Sequence, residues 1–197
     1  MNLPNKITLT RILMIPVFIA VFFLDGILPY NYAIAAAIFA LAAFTDFVDG
    51  YVARKYKLVT NLGKFLDPIA DKVLVSTAMM LLLMLPGLFL RKGMDDALYI
   101  AYAVCVCVIM ARELIISAFR QIAATNGLVL AAEKLGKYKT ACQDVSIVVL
   151  LVAADLTGKA FDFVCGAGLA LFAFATILTV WSGISYVVKN KQVLKDA

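Results

Sequence analysis

Residues 31–54 read NYAIAAAIFALAAFTDFVDGYVAR, and this stretch decides the fold class. It begins with an uncharged apolar run and ends with two aspartates, a glycine and an arginine. A helix of about 20 apolar residues crosses the roughly 30 Å hydrocarbon layer of a membrane, so the run predicts a transmembrane helix. The charges at its end need a separate explanation, because two acidic side chains this close together repel each other and are costly when they are buried.

The rest of the chain repeats this apolar pattern. Its 197 residues are 64% hydrophobic and 16% charged, whereas a soluble domain is nearer half apolar and a quarter charged. No linker divides the chain, so we predict one domain, residues 1–197. We predict an all-α integral membrane protein with six transmembrane helices and a short N-terminal interfacial helix in the segment MNLPNKITLTR. The six predicted spans are 8–24, 32–53, 66–90, 97–119, 140–158 and 162–188.

The basic residues predict the orientation of these spans. With the amino terminus in the cytoplasm, all of the 18 lysines and arginines except Arg91, Lys92 and Lys159 fall on the cytoplasmic side. Cytoplasmic loops of membrane proteins carry such an excess, so both termini are expected there. The net charge of +5 suits an anionic membrane surface, and basic residues that flank spans do not favour nucleic acid as a partner.

Two residue types limit the possible chemistry. Histidine is absent, which excludes Ser-His-Asp catalysis and histidine-ligated metals. The four cysteines all lie in predicted spans, and no second pair completes a zinc site with Cys105 and Cys107. We interpret the cysteines as packing residues, which leaves carboxylates, basic groups and hydroxyls for any catalysis.

Four aspartates stand out at the cytoplasmic ends of the second and third spans. On a helix, Asp49 lies about 60° from Asp46, and the i, i+4 pair Asp67 and Asp71 shares one face. Oxygen-only ligands suit Mg²⁺ or Mn²⁺, and two such ions about 4 Å apart can serve phosphoryl transfer. The alternative is that the aspartates only pair with nearby lysines and arginines.

The spacing also has a known counterpart. D-x-x-D-G-x-x-A-R followed by G-x-x-x-D-x-x-x-D resembles the signature of the CDP-alcohol phosphatidyltransferase family, and all its positions are present here. The resemblance implies six helices around a polar cavity that faces the cytoplasm. It also implies transfer of a phosphatidyl group from a CDP-lipid to an alcohol, with release of CMP by direct displacement.

By matching position, the resemblance implies roles for individual residues. Two divalent ions, Mg²⁺ or Mn²⁺, would be held by Asp46, Asp49, Asp67 and Asp71. Asp71 would also be the catalytic general base. The CDP-lipid would be contacted by Asn5, Thr8, Gly50, Arg54 and Thr60, of which the first two are assigned more loosely.

Two further segments indicate the acceptor alcohol. ARELIISAFRQ and EKLGKYKTACQD resemble the phosphatidylglycerophosphate synthases of this family, which implies CDP-diacylglycerol and sn-glycerol 3-phosphate as substrates in a bacterial cell membrane. The acceptor phosphate would be bound by Arg112, Arg120, Lys134 and Lys137. Arg112 is the strongest of these, because an arginine inside a span is costly unless it holds an anion. The alternative for Arg112 is pairing with Glu113, against which stands the angle of about 100° between neighbours on a helix. Glu113 could instead orient Arg112 or a group of the metal site.

Other functions stay open at this point. A member of the same family could use serine, inositol phosphate or phosphatidylglycerol instead. A cation transporter could use the aspartates as its ion path. The resemblance further suggests a homodimer among membrane lipids.

Overall fold

The computed structural model describes residues 3–55, 61–89, 96–125 and 134–194, and every regular element in these ranges is helical. Six α-helices follow one another along the chain, and two short 3₁₀ turns, Pro86–Leu88 and Lys191–Leu194, accompany them. The helices are α1 Leu3–Phe22, α2 Asn31–Lys55, α3 Asn61–Leu83, α4 Asp96–Thr125, α5 Lys134–Ala154 and α6 Gly158–Lys189. Each predicted span thus corresponds to one helix.

Two of the described helices are long and apolar enough to cross a membrane, namely α4 and α6. In the apolar stretch of 18 residues that could cross a membrane, only 22% of α4 and 28% of α6 is buried. The core helix of a soluble protein would be mostly buried, so these open apolar faces are consistent with a membrane protein. Membrane crossing by the six helices stays a prediction.

Two of the predicted span ends were wrong for local reasons. The third predicted span extends to residue 90, but α3 ends at Leu83, shortly before Pro86. Proline lacks an N–H group and disfavours the helical conformation in the residue before it. The fifth span was extended to residue 158, but α5 ends at Ala154 and Gly158 has a φ of 66°, a left-handed conformation that glycine readily adopts.

The predicted N-terminal interfacial helix is not separate from the first span, because α1 runs without interruption from Leu3 to Phe22. Within the first segment, Thr8 is 1% exposed and Arg11 is fully buried, whereas Lys6 and Thr10 are exposed. The position of this segment at a membrane surface stays a prediction.

The described chain divides into two compact units. The first, Met1–Leu88 with Ile147–Ala167, has an apolar core in which the rings of Phe18 and Phe39 lie 6.0 Å apart. Polar bonds join its elements at helix ends. The amide of Asn31 donates to the carbonyl of Phe22 at 2.9 Å, and Asp155 Oδ2 accepts from the backbone N–H of Ala33 at 2.6 Å. The second bond satisfies an N–H group in the first turn of α2, which has no partner within its own helix.

The second unit is Phe89–Ser146 with Gly168–Ala197. The ring of Tyr102 on α4 lies between Phe89, at 4.7 Å, and Phe172 of α6, at 4.6 Å. Further along the same two helices, Phe119 packs edge-on against Tyr186. These ring contacts fix α4 beside α6 within this unit.

Candidate active site

The four predicted metal ligands lie on α2 and α3, which pack against each other in the first unit. Asp46 is nine residues before the end of α2 (55 − 46), and Asp71 is ten residues after the start of α3 (71 − 61). At about 1.5 Å per residue, the two positions stand about 14 Å and 15 Å from the helix ends that residues 56–60 connect. Asp46 and Asp71 therefore lie in the halves of α2 and α3 that are nearer to this connection, and Asp71 is close to the middle of α3.

The metal ligation itself stays a prediction. The side chain of Asp71 is half-buried and that of Asp46 is 43% exposed, whereas the side chains of Asp49 and Asp67 lie outside the described part. Among the described side chains, no three acidic or cysteine residues form a metal-binding group. The donor set offers carboxylate oxygen alone, which fits Mg²⁺ or Mn²⁺ and does not fit metals that prefer nitrogen or sulfur.

Asp46 is held by an arginine that sequence reasoning missed. The Nη1 atom of Arg11 on α1 lies 2.6 Å from Asp46 Oδ1. The same guanidinium donates from Nε to the carbonyl of Ala42 at 3.2 Å and approaches Thr45 Oγ1 at 3.5 Å. The sequence alone places Arg11 only among the predicted cytoplasmic basic residues. Its position inside the first apolar run was the available signal, because a buried arginine requires an anionic or polar partner.

The predicted CDP-lipid contacts are only partly within the described structure. Thr8 is buried in α1. The side chains of Asn5 and Arg54, and the surroundings of Gly50, lie outside the described part, as does Thr60 altogether. All five assignments stay predictions.

The second unit contains a cluster of three charged residues, which we call the Arg112 cluster: Arg112 and Glu113 on α4 and Lys139 on α5. Arg112 Nη1 donates to Glu113 Oε1 at 2.9 Å, and Lys139 Nζ donates to the same oxygen. The Lys139 side chain is 6% exposed and that of Arg112 is 16% exposed. Two cations share one carboxylate, so the cluster keeps one positive charge in a place poorly reached by water.

The alternative pairing of Arg112 with Glu113 is thus present, and the angular argument against it was wrong. Adjacent Cβ atoms on a helix do diverge, but both side chains are long and have several rotatable bonds. Their terminal atoms can meet even though their first bonds point apart. Lys139 belongs to the segment EKLGKYKTACQD that indicates the acceptor, but it is not among the residues predicted to bind the acceptor phosphate.

The α6 helix provides a further partner for Arg112. Arg112 Nη2 donates to Ser182 Oγ at 2.9 Å. A Cβ atom added to Gly183 would lie 3.0 Å from Arg112 Cγ and 3.2 Å from Nε, so the arginine stem crosses directly over this glycine. Arg112 Nε is buried and has no hydrogen-bond partner among the described residues.

The other predicted acceptor ligands differ in their surroundings. Arg120 Nε donates to the hydroxyl of Tyr186 at 3.2 Å, and its guanidinium carbon is 5.2 Å from the centre of that ring. Lys137 is exposed on α5, and the side chain of Lys134 lies outside the described part. The structure thus places Arg112 with Glu113 and Lys139, whereas Arg120 packs on Tyr186.

Comparison with known proteins gives one consistent family. A sequence model of the CDP-alcohol phosphatidyltransferases matches residues 1–181. The chain is 40% identical to the CDP-diacylglycerol–glycerol-3-phosphate 3-phosphatidyltransferase of Bacillus subtilis, covering 100% of this chain and 98% of that protein. It is 38% identical to the protein of the same name from Salmonella typhimurium, over 99% and 98% of the two chains. It is also 34% identical to a CMP-forming cardiolipin synthase of rice, over 98% of this chain and 59% of that protein.

Proposed function

The chain belongs to the CDP-alcohol phosphatidyltransferase family, and we propose that it transfers the phosphatidyl group of CDP-diacylglycerol to sn-glycerol 3-phosphate. The products are phosphatidylglycerophosphate and CMP, so the enzyme acts in phospholipid biosynthesis. The names of the bacterial relatives support this acceptor. The structural observation that carries it is the excess positive charge of the Arg112 cluster.

That excess charge suits a phosphate-bearing acceptor. In the Arg112 cluster, Glu113 neutralises only one of the two cations. Nη1 and Nη2 of Arg112 carry two N–H groups each, and Glu113 and Ser182 each accept from one of these nitrogens, so N–H groups remain for a phosphate oxygen. Arginine presents a planar fork of N–H groups that matches phosphate oxygens. A neutral acceptor such as serine's hydroxyl would leave this charge unbalanced.

The four aspartates are the proposed ligands of two divalent ions. Asp46, Asp49, Asp67 and Asp71 supply only oxygen atoms, which is the donor type that Mg²⁺ and Mn²⁺ prefer. When bound, such ions neutralise the pyrophosphate of the CDP-lipid and the charge that develops on the departing CMP. The Arg11 contact supports this role, because it fixes the orientation of one ligand before any ion binds.

The chain's own groups can carry the remaining chemistry. The acceptor hydroxyl attacks the phosphorus that bears diacylglycerol, a new P–O bond forms, and the bond to the CMP oxygen breaks. Asp71 accepts the hydroxyl proton. Since an ordinary aspartate has a pKa near 3.9, it takes this proton late, when bond formation has already made the hydroxyl acidic. No covalent enzyme intermediate is required. Asn5, Thr8, Gly50, Arg54 and Thr60 are the proposed contacts of the CDP moiety.

The membrane arrangement completes the proposal. Six helices would cross a bacterial cell membrane around a polar cavity that opens to the cytoplasm, with both termini on that side and the chain paired as a homodimer. The positive-inside distribution of lysine and arginine supports the orientation. Both substrates would then meet at the cytoplasmic face, because glycerol 3-phosphate is water-soluble and the CDP head group projects from the lipid layer.

An acceptor assay tests the proposal directly. The purified protein is supplied with CDP-diacylglycerol and Mn²⁺, and CMP release is measured with glycerol 3-phosphate, serine, inositol phosphate or phosphatidylglycerol. We expect release with glycerol 3-phosphate. Release with phosphatidylglycerol alone would favour the activity named for the rice relative, and divalent-ion flux into liposomes without CMP release would favour a transporter.

The Arg112→Ala variant tests the phosphate contact. Loss of a charged hydrogen-bonding group costs about 1.5–3 kcal/mol, which corresponds to a rise in the acceptor KM of about ten- to a hundredfold. The KM for CDP-diacylglycerol should not change. Unaltered acceptor kinetics would contradict the role of Arg112.

A further inference from the structure

We propose that Ser182 and Gly183 of α6 are positioning residues for Arg112, and that they set the affinity for the acceptor phosphate without touching it. We call this pair the α6 seat. The inference rests on the proposed function, because it assumes that Arg112 binds the acceptor. Neither seat residue belongs to the family signature or to the segments that indicated the acceptor.

Ser182 contributes a hydrogen bond of fixed polarity. Its hydroxyl donates to the carbonyl of Thr179 in its own helix at 3.1 Å, and it accepts from Arg112 Nη2 at 2.9 Å. A hydroxyl has one proton and two lone pairs. Since the proton is used within α6, the lone pairs are available to the guanidinium. Ser182 is 2% exposed, so water cannot readily replace this contact.

Gly183 contributes space. The Arg112 stem passes so close that any side chain larger than hydrogen would press on Cγ and Nε. Glycine inside a helix is less favourable than alanine. The close approach of the Arg112 side chain explains why glycine occupies position 183 in spite of this cost. Gly166, in the same helix, has no atom within 4 Å of an added Cβ and therefore has no such role.

Together with Glu113, the α6 seat holds the guanidinium from two sides. Glu113 binds Nη1, Ser182 binds Nη2, and the stem lies on Gly183. A side chain held in this way loses little conformational freedom when it binds a ligand, which improves affinity. A displaced guanidinium would instead have to reorder at each binding event.

The test compares five variants of the full chain: S182A, S182T, G183A, G166A and R112A. Initial rates are measured against each substrate in turn, and the thermal unfolding midpoint of each variant is recorded. We expect S182A to raise the KM for glycerol 3-phosphate by about tenfold, the effect of losing one bond to a charged group. We expect G183A to raise it by about three- to tenfold, because the stem must shift by a few tenths of an ångström.

Two controls separate positioning from general packing. S182T keeps a hydroxyl and should restore most of the acceptor affinity, and G166A should leave all kinetic constants unchanged. The KM for CDP-diacylglycerol should stay constant in both seat variants. If S182A and G183A change the constants for both substrates equally, or leave the acceptor KM unaltered, the seat has no positioning role.

R112A distinguishes failure of this inference from failure of the proposed function. If R112A raises the acceptor KM and the seat variants do not, only the positioning inference is overturned. If R112A has no effect, the phosphate role of Arg112 is wrong and the inference falls with it. Should G183A fail to fold, the S182A and S182T pair decides alone. Low acceptor affinity in S182A and recovery in S182T support the seat, and equal affinities overturn it.

Discussion

Arg11 of α1 and Asp46 of α2 form an ion pair in which Nη1 lies 2.6 Å from Oδ1. The arginine is fully buried, whereas the aspartate side chain is 43% exposed. The pair therefore has a closed side, which fixes the carboxylate, and an open side, which can be reached from solvent. A metal ligand needs both properties, since it must be held in place and remain accessible.

Replacing Arg11 tests this arrangement. We expect Arg11→Met to weaken Mn²⁺ binding by about ten- to a hundredfold, the usual effect of losing a group that orients a metal ligand. Mn²⁺ titration followed by electron paramagnetic resonance measures this without reference to turnover. Lys6→Met is the matched control, because Lys6 is an exposed cation on the same helix. Equal Mn²⁺ affinities in the two variants would contradict the positioning of Asp46 by Arg11.

Asp71→Asn tests the proposed general base. The amide cannot accept the hydroxyl proton, so kcat should fall by about 10²- to 10⁴-fold. Binding of CDP-diacylglycerol, measured by equilibrium binding of a labelled analogue, should be largely retained. Asp162→Asn, at an exposed position of α6, should leave kcat unaltered. Near-normal turnover of Asp71→Asn would remove Asp71 from this role.

Two lysines on α5 provide a third comparison. Lys139 is buried and bound to Glu113, whereas Lys137 is exposed. We expect Lys139→Met to raise the KM for glycerol 3-phosphate by about tenfold, because it removes the excess positive charge of the Arg112 cluster. Lys137→Met should have a smaller effect, about two- to threefold, since an exposed cation is screened by water and salt. A larger rise in this KM for Lys137→Met than for Lys139→Met would indicate that the acceptor binds at the exposed surface of α5 instead.

Asp155→Ala tests a structural contact. Asp155 accepts a hydrogen bond from the first turn of α2, and losing such a bond costs about 0.5–2 kcal/mol in the free energy of unfolding. For a chain of this size, about 1 kcal/mol corresponds to a fall of about 2–4 °C in Tm. Substrate KM values should not change. Lys159→Ala, a nearby exposed substitution, should leave Tm constant, and an equal fall in both variants would contradict the cap.

Much of the helical order follows from sequence alone, because each helix of this chain coincides with an apolar run. The predicted third and fifth spans continue past the ends of their helices, near Pro86 and Gly158. The chain stays apolar through both residues, whereas the helical backbone conformation does not continue through them. The aspartate spacing likewise places all four residues on two packed helices. Such inferences need only local periodicity.

Partners across helices could not be predicted in the same way. From the sequence, Arg11 is one more cytoplasmic cation, and its partner is recognised only from the packing of α1 against α2. Ser182 is likewise only a small residue of an apolar helix in the sequence. The argument against the Arg112 contact with Glu113 was wrong for a different reason. The 100° rule describes where side chains begin, and the contact depends on where two long side chains end. Which cation meets which carboxylate is decided by packing that a single sequence does not encode locally.

The buried Arg11 also constrains how the protein is made. Its counter-ion is 35 residues further along the chain, so during synthesis the arginine leaves the ribosome well before Asp46. An isolated first helix would carry an uncompensated charge toward the lipid, which is unfavourable. Under the proposed six-span arrangement, we therefore expect α1 and α2 to enter the bilayer together as a helical hairpin, with the ion pair forming as the two segments leave the translocation machinery.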